Sequence, residues 1–258
     1  MTSTPRPLTR RTHALLGLLL TASAATATAA GPAWDIVGIR PGMSETEALA
    51  ALSAHRQGAQ VYKKTMSYTF SDGVQQRNTP SFLHEVRAVF DDAQGREDFL
   101  IYFAPLPSAS RVVGIVRQMS LKAPPTQAQL SAQFGAKYGT PTHSGKNYST
   151  LNTVWGEAGK PMCWRSTPKA TTIGNGDGQG IVDHLRQGQQ KGWAPRDLSQ
   201  CGLAVAASMV GEPVHNLTIR LTDYAAWATT QQQALAWVEQ QKQEAIKARL
   251  AKGAGPKL

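Results

Sequence analysis

Apolar and polar residues alternate along several stretches of the chain, with the two-residue period that is typical of β-strands. In residues 61–70, aromatic and methionine side chains fall on one face, and Lys63, Thr65 and Ser67 fall on the other. Three further stretches fit strands: residues 83–90, 98–104 and 111–121. Because short turns connect these four stretches, we expect an antiparallel meander.

A helix is predicted just before this meander. Ser44 and Glu47 form the capping-box pattern that marks a helix N-terminus, and a glycine stands where the helix would end. The same pattern recurs with Thr126 and Gln129, and apolar residues follow at four-residue intervals. The sequence therefore predicts two similarly capped helices, one in each half of the chain.

More strand candidates follow the second helix, at residues 147–155, 161–164, 203–210 and 214–222. In the last of them, Thr218 and Arg220 lie on the polar face. A glycine-rich insertion with little periodicity, residues 166–200, interrupts this second set. The pattern predicts an α+β protein with an antiparallel sheet, helices on one face and a C-terminal helix.

The order of these elements suggests two tandem units of one helix and four strands. They comprise residues 31–122 and 123–223, and a C-terminal helix and tail follow at residues 224–258. The alternative is a single α+β domain whose two helices merely share good capping. Residue identity between the halves is weak, so the sequence alone leaves both interpretations open.

The first thirty residues have the composition of a signal peptide. Arginines precede an apolar run at residues 14–20, and small residues around Ala29 fit a cleavage site. The apolar run is shorter than the roughly 20 residues that a membrane span needs, and later segments are less apolar. We therefore expect a periplasmic or secreted protein without a transmembrane segment in its mature chain.

The charge of the chain favours some partners over others. The 258 residues carry a formal net charge of +10. Residues 1–30 contain Arg6, Arg10 and Arg11 and no acidic residue, so the remainder carries +7. This charge favours anionic neighbours, such as acidic proteins or lipid head groups. Because the basic residues are scattered and an exported protein seldom meets nucleic acid, we do not expect nucleic-acid binding.

The chain has two cysteines, Cys163 and Cys201. In an oxidising compartment, two such cysteines are expected to form a disulfide. A redox or metal pair would instead need C-x-x-C spacing or neighbouring histidines, and the sequence has neither. We therefore predict one disulfide between them.

Several motifs that could carry chemistry lack residues that the chemistry requires. The glycine-rich run at residues 174–180 lacks two oxygen ligands of a calcium loop and the lysine of a phosphate-binding loop. Residues 166–169 have S-x-x-K spacing, but Pro168 opposes the helix that this nucleophile motif needs. The histidines are scattered, and Asp91 with Asp92 is typical of a turn. The sequence thus predicts no catalytic residue, no metal site and no cofactor.

The segment GIRPGMSETEALAAL resembles the opening of small exported envelope proteins of the SmpA/OmlA outer-membrane assembly type, through Gly42, Met43, Ser44 and Glu47. The tandem layout also looks like the β-lactamase-inhibitor-protein fold, which duplicates a helix-plus-strands unit. The chain differs from the assembly lipoproteins in its greater length and in lacking a lipidation cysteine. The resemblance implies a protein that binds other proteins, rather than an enzyme.

These observations lead to a hypothesis about function. Antiparallel sheets commonly leave one face to solvent, so we expect a docking surface on the polar face, with Lys63, Thr65, Ser67, Thr218 and Arg220. Trp193 in the insertion is a candidate surface anchor. The leading hypothesis is a non-enzymatic protein-binding or inhibitory module of the cell envelope, with an envelope or secreted protein as partner. An envelope hydrolase with a site around the insertion is the alternative, and a scaffold without a discrete site is the third hypothesis.

Overall fold

The computed structural model of the protein describes residues 34–93, 95–161, 163, 165–166, 171–172 and 178–253. These residues belong to one compact unit, Pro32–Leu258. The expected signal peptide, residues 1–30, lies outside the described residues, as do Trp164, residues 167–169 of the S-x-x-K motif and residues 174–177 of the glycine-rich run. No helix within the described ranges is long and apolar enough to cross a membrane.

Helices and short strands make up most of the described chain. The helices are α1 (Glu45–His55), α2 (Gln127–Tyr138), α3 (Gly178–Gln190) and α4 (Tyr224–Gly253), and a 3₁₀ turn lies at Leu198–Gln200. The first set of strands is β1 (Gln60–Met66), β2 (Thr69–Ser71), β3 (Gln76–Asn78), β4 (Phe82–Asp92), β5 (Gly95–Phe103) and β6 (Val112–Leu121). The second set is β7 (His143–Asn147), β8 (Thr150–Gly156), β9 (Arg165–Ser166), β10 (Thr171–Thr172), β11 (Leu203–Val210) and β12 (Asn216–Asp223).

Eight of the strands form one antiparallel sheet, in the order β1-β4-β5-β6-β12-β11-β8-β7. The first four come from the first half of the chain and the last four from the second half, and the two sets meet where β6 pairs with β12. Helix α1 precedes the first set, and α2 precedes the second. The predicted α+β class, antiparallel sheet and C-terminal helix are confirmed, and each half contributes one capped helix and four strands.

Both capping boxes are present. The Glu47 amide donates a hydrogen bond to Ser44 Oγ at 3.3 Å, and the Ser44 amide donates one to the Glu47 carboxylate at 2.7 Å. The Ser44 amide and, with a smaller effect, its hydroxyl both donate to the Glu47 carboxylate and lower its pKa. Thr126 and Gln129 make the same reciprocal pair, at 3.1 and 2.9 Å. Each box satisfies amide groups that the first turn of a helix leaves without an intrahelical partner.

Several strands differ from the sequence expectation. The stretch at residues 61–70 is divided into β1 and β2, and β2 pairs with β3 outside the main sheet. The stretch at residues 147–155 is part of a hairpin, in which Tyr148 and Ser149 form the turn between β7 and β8. Pro161 and Cys163 belong to no strand, so β7 takes the place of the expected strand at residues 161–164. In the insertion, α3 occupies a segment for which the sequence predicts no regular structure.

The two faces of the sheet contact different helices. On one face, which we call the helix face, α1 and α2 pack over the sheet through residues such as Leu52 and Phe134. On the opposite face, Trp227 of α4 packs on Tyr102 with ring centroids 5.3 Å apart, and Leu185 of α3 joins the same core. The fully buried residues of α4 all lie in its first half. The two capped helices thus share one face, as predicted, while α3 and the start of α4 cover part of the other.

Candidate functional site

Within the described part of the chain, α3 and α4 leave much of the face of the sheet opposite α1 and α2 exposed. Directly paired residues of antiparallel neighbours point to the same face, so the strand registers show which side chains share it. The middle row of this face crosses seven strands and consists of Gln60, Val89, Asp98, Gln118, Thr218, Ser208 and Asn152. At about 4.8 Å between neighbouring strands, this row is roughly 29 Å long.

Two further rows flank the middle row. The outer row lies next to the hairpin turns and consists of Asp91, Arg96, Ser120, Asn216, Val210, Thr150 and Asn147. The inner row lies nearer α4 and consists of Tyr62, Arg87, Leu100, Val116, Arg220, Ala206 and Val154. We call the three rows together the open face. Its outer row is mainly polar and exposed, whereas its inner row is more apolar and includes buried valines.

Helix α4 sets one limit of the open face. The next row of the sheet, which includes Tyr102 and Gly114, lies under Trp227. A Cβ atom on Gly114 would lie 2.3 Å from the Trp227 ring, so the lack of a side chain at this position lets the helix approach the sheet. The open face is therefore bounded by α4 and α3 on one side, where Val154 joins the same core as Leu185, and by hairpin turns on the other.

Charged groups of the open face are concentrated on β4 and β5. Arg87 Nε donates a hydrogen bond to Asp98 at 2.8 Å, and Arg96 Nη2 lies 3.4 Å from the same carboxylate. Arg87, with a smaller contribution from Arg96, holds the pKa of Asp98 below its usual range, so this carboxylate stays ionised at neutral pH. On β8, β11 and β12 the face instead offers hydroxyl and amide groups together with Arg220. A partner would therefore meet both signs of charge at one end and mainly neutral polar groups at the other.

Three shallow depressions mark the open face. One, of about 210 Å³, is lined by Asn152, Ser208, Thr218 and Arg220, among others. Another of about 210 Å³ lies across β5, β6 and β12, and a third of about 340 Å³ lies across β1, β4 and β5. Sites for drug-sized ligands are commonly deep clefts of ~300–1,000 Å³. Two of the depressions are smaller than this range and the third lies at its lower end. All three lie open on the surface of a sheet, so they suit individual side chains of a protein partner better than a whole substrate.

The structure separates the sheet residues that the sequence places on one docking surface. Two of them, Thr218 and Arg220, lie on the open face. Lys63 instead pairs with a core residue of β4 and lies 2.5 Å from the carboxylate of Glu45 in α1, so it points to the helix face with Thr65. Ser67 lies outside the strands. The alternation of the sequence places Lys63 and Thr65 on one face of their strand, as the structure does, but it does not show which face the helices cover.

Trp193 also differs from the expectation. Its amide donates a hydrogen bond to the Gly188 carbonyl of α3 at 3.0 Å, and its ring lies 4.8 Å from the His184 ring. A Cβ atom on Gly188 would clash with the indole, which shows how closely the two residues pack. Trp193 is therefore partly buried against α3, rather than presented as an exposed anchor.

Arg87, Arg96 and Gln118 are candidate binding residues that only the structure reveals. Alternation along their strands marks them as polar positions. Their neighbours on the open face, however, come from strands that are far apart in sequence, and these neighbours follow only from the registers across β5, β6 and β12.

A second group of charged side chains lies on the helix face. Glu97 of β5 lies 3.1 Å from His55 and 3.3 Å from Arg56, and it also pairs with Arg117 of β6. Arg56 makes a further ion pair with Asp92. The side chain of Glu97 is only 7% exposed. Because these groups satisfy one another where α1 meets the sheet, we assign the cluster a structural role.

A wider groove, of about 660 Å³, lies between α4 and the segment that joins β5 to β6. Asp223 lines this groove, and burial raises the pKa of its carboxyl. The Ala226 amide donates a hydrogen bond to Asp223 Oδ1 at 2.9 Å, in the manner of an N-cap at the start of α4. This carboxyl therefore has a structural partner.

Cys163 and Cys201 form a disulfide with their Cα atoms 5.8 Å apart, and both residues are buried. The predicted pairing is confirmed. Since the chain has no other cysteine, no thiol is left for nucleophilic or metal chemistry. Within the part of the chain that the structure describes, no three His, Cys, Asp or Glu side chains are placed to share a metal ion.

Fold and surface together define an α+β protein whose broadest polar feature is the face of a sheet rather than a cleft. Comparison of the chain with protein-family models, with curated proteins and with solved structures found no match.

Proposed function

We propose that this protein is an exported, non-enzymatic binding module of the cell envelope that holds another protein against the open face of its sheet. The observation that carries the proposal is the open face itself. Its outer and middle rows consist mainly of polar side chains and each cross seven strands, and α4 lies beyond the more apolar inner row.

The dimensions of the open face fit a protein partner. Residues on one face of a strand are about 6.8 Å apart, so three rows by roughly 29 Å cover at most about 600 Å², because Val116 and Val154 of the inner row are buried. A standard protein–protein interface buries about 800 Å² on each partner. The open face alone falls somewhat short of that area, so neighbouring hairpin turns would have to contribute to the contact.

Charge and compartment support the same proposal. A net charge of +7 beyond residue 30 favours a partner with an acidic surface and accelerates its association. The N-terminal leader pattern and the disulfide both suit an exported protein. The resemblance of residues 38–52 to exported assembly proteins agrees with a role in binding proteins.

Charge reversal on the open face tests the proposal. The dominant protein that immobilised wild type captures from an envelope extract would be purified, and its affinity for variants measured by biolayer interferometry. We expect the double variant Arg96→Glu/Arg220→Glu to bind at least ~10-fold more weakly, mainly through a slower association rate that depends less on salt.

Lys63→Glu is the matched control, because it reverses an exposed charge on the helix face. We expect its affinity to stay within about twofold of wild type, since an exposed ion pair contributes little. If the double variant binds as wild type does, or if Lys63→Glu weakens binding equally, the open face is not the docking surface.

A further inference from the structure

Tyr148 is the most exposed large hydrophobic side chain in the described part of the chain. It lies at the tip of the β7–β8 hairpin, and 94% of its surface is exposed. Its neighbours Asn147 and Thr150 belong to the outer row of the open face. A tyrosine in this position buries almost nothing, so it contributes nothing to the hydrophobic core.

The backbone of Tyr148 is also strained. Its φ angle is +51°, in the left-handed region that side chains with a Cβ atom rarely adopt. The β2–β3, β4–β5 and β11–β12 turns place glycines at their positive-φ positions, namely Gly73, Gly95 and Gly211. The β7–β8 turn thus uses a bulky residue where the other three use glycine.

At Val37, burial of the side chain compensates for the same kind of backbone strain. Val37 is the other described non-glycine residue with a positive φ, at +48°. Its side chain packs against the core of the helix face, so burial offsets the unfavourable conformation. Tyr148 has no comparable burial, so no packing energy offsets the cost of its backbone conformation.

The strained turn is held rigidly in place. The carbonyl of Ser149 accepts a hydrogen bond from the buried Gln127 side chain at 2.8 Å and one from the Gly211 amide at 3.1 Å. The same side-chain nitrogen, Gln127 Nε2, also donates a hydrogen bond to the Gly211 carbonyl at 3.0 Å. Gln127 therefore clamps the β7–β8 turn to the β11–β12 turn, and Tyr148 projects from a fixed platform.

We infer that Tyr148 is a preorganised anchor that inserts into an aromatic-sized pocket on the protein partner, at the edge of the open face. This inference rests on the proposed function and names the contact that extends the interface beyond the sheet. An exposed tyrosine supplies a large apolar ring with a polar hydroxyl and few rotatable bonds, which makes it an effective binding hot spot. Because the platform is already ordered, little conformational entropy is lost on binding.

Two measurements on the full-length protein test this inference. Tyr148→Gly relieves the positive φ, so we expect thermal unfolding to shift upward by about 2–4 °C. The same variant should bind the purified captured partner about 30-fold more weakly, because it removes a hot-spot side chain. Tyr148→Phe keeps the ring and should retain binding to within about fivefold of wild type.

Val74→Gly is the matched control, because Val74 is 73% exposed beside the tip of the β2–β3 hairpin, where Gly73 already takes the positive φ. It should neither raise the unfolding temperature nor weaken binding. The inference is overturned if Tyr148→Gly keeps full affinity or fails to raise the unfolding temperature. If Tyr148→Gly binds normally while Arg96→Glu/Arg220→Glu does not, the anchor is rejected and docking on the open face stands. If neither variant loses affinity, the proposed function fails as well.

Discussion

Replacing Glu97 with glutamine is expected to lower the free energy of unfolding by about 3 kcal/mol. Glu97 is almost fully buried and faces His55, Arg56 and Arg117. The glutamine keeps the shape but leaves two guanidinium groups close together without their shared carboxylate. We take the lower end of the range for a broken buried ion pair, because both arginines keep just under a fifth of their side chains exposed.

Urea denaturation followed by circular dichroism measures this effect. Glu45→Gln is the control, since it breaks the more exposed pair with Lys63 and should lower stability by less than ~1 kcal/mol. An equally small loss for Glu97→Gln would show that the desolvation of this cluster cancels its attraction, and that α1 is held to the sheet by apolar contacts alone.

A second large effect is expected at Trp227, whose replacement by alanine should lower the free energy of unfolding by about 3–5 kcal/mol. Its side chain is buried between Tyr102 and Gly114, and this contact holds the first half of α4 on the sheet. Hydrogen exchange should become faster throughout α4, because Trp227 is the largest buried side chain of its first half and its second half contributes no fully buried residue.

A double-mutant cycle tests the contact between Gly114 and Trp227. Gly114→Ala alone should lower stability by about 1–3 kcal/mol, because its Cβ atom would overlap the indole ring. In the Trp227→Ala background, the same substitution should have little further effect. Fully additive losses would mean that Gly114 matters for a reason other than the approach of this tryptophan.

The helices were the most predictable part of the fold, because their signals are local. Both capping boxes lie within four consecutive residues, and each one begins the expected helix. Strand β11 likewise runs from Leu203 to Val210 as expected, since alternation and flanking turn residues define it without distant information. Helix α3 was missed although its apolar residues fall on one helical face, because its glycines and the lack of a capping pattern argued against a helix.

The β7–β8 hairpin was missed for a reason that bears on function. Turns are recognised in a sequence by glycine, asparagine or proline at the positions that need them. This turn has Tyr148 at its positive-φ position, so the stretch resembles one continuous strand. Tyr148 thus occupies a turn position that favours glycine or asparagine, and it is also the position where we infer a binding contact. Such departures from local sequence preference are expected at functional sites.

The candidate site was only partly predictable. Alternation identified the polar faces of the strands, including Thr218 and Arg220, but it could not assign Lys63 to the helix face. That assignment depends on which side α1 packs, and it is set by contacts between distant residues. The Glu97 cluster could not be seen in the sequence for the same reason, since its members lie at the end of α1 and on β4, β5 and β6.

Site-specific photo-crosslinking tests whether the open face is the docking surface. A photoreactive phenylalanine at Gln118 would stand in the middle of the open face, whereas the same residue at Gln133 would stand on the exposed side of α2. After illumination in an envelope extract, we expect the photoreactive residue at position 118 to crosslink to the protein that wild type captures, and the one at position 133 not to. Crosslinks to that protein from position 133, with none from position 118, would show that the open face is not the docking surface.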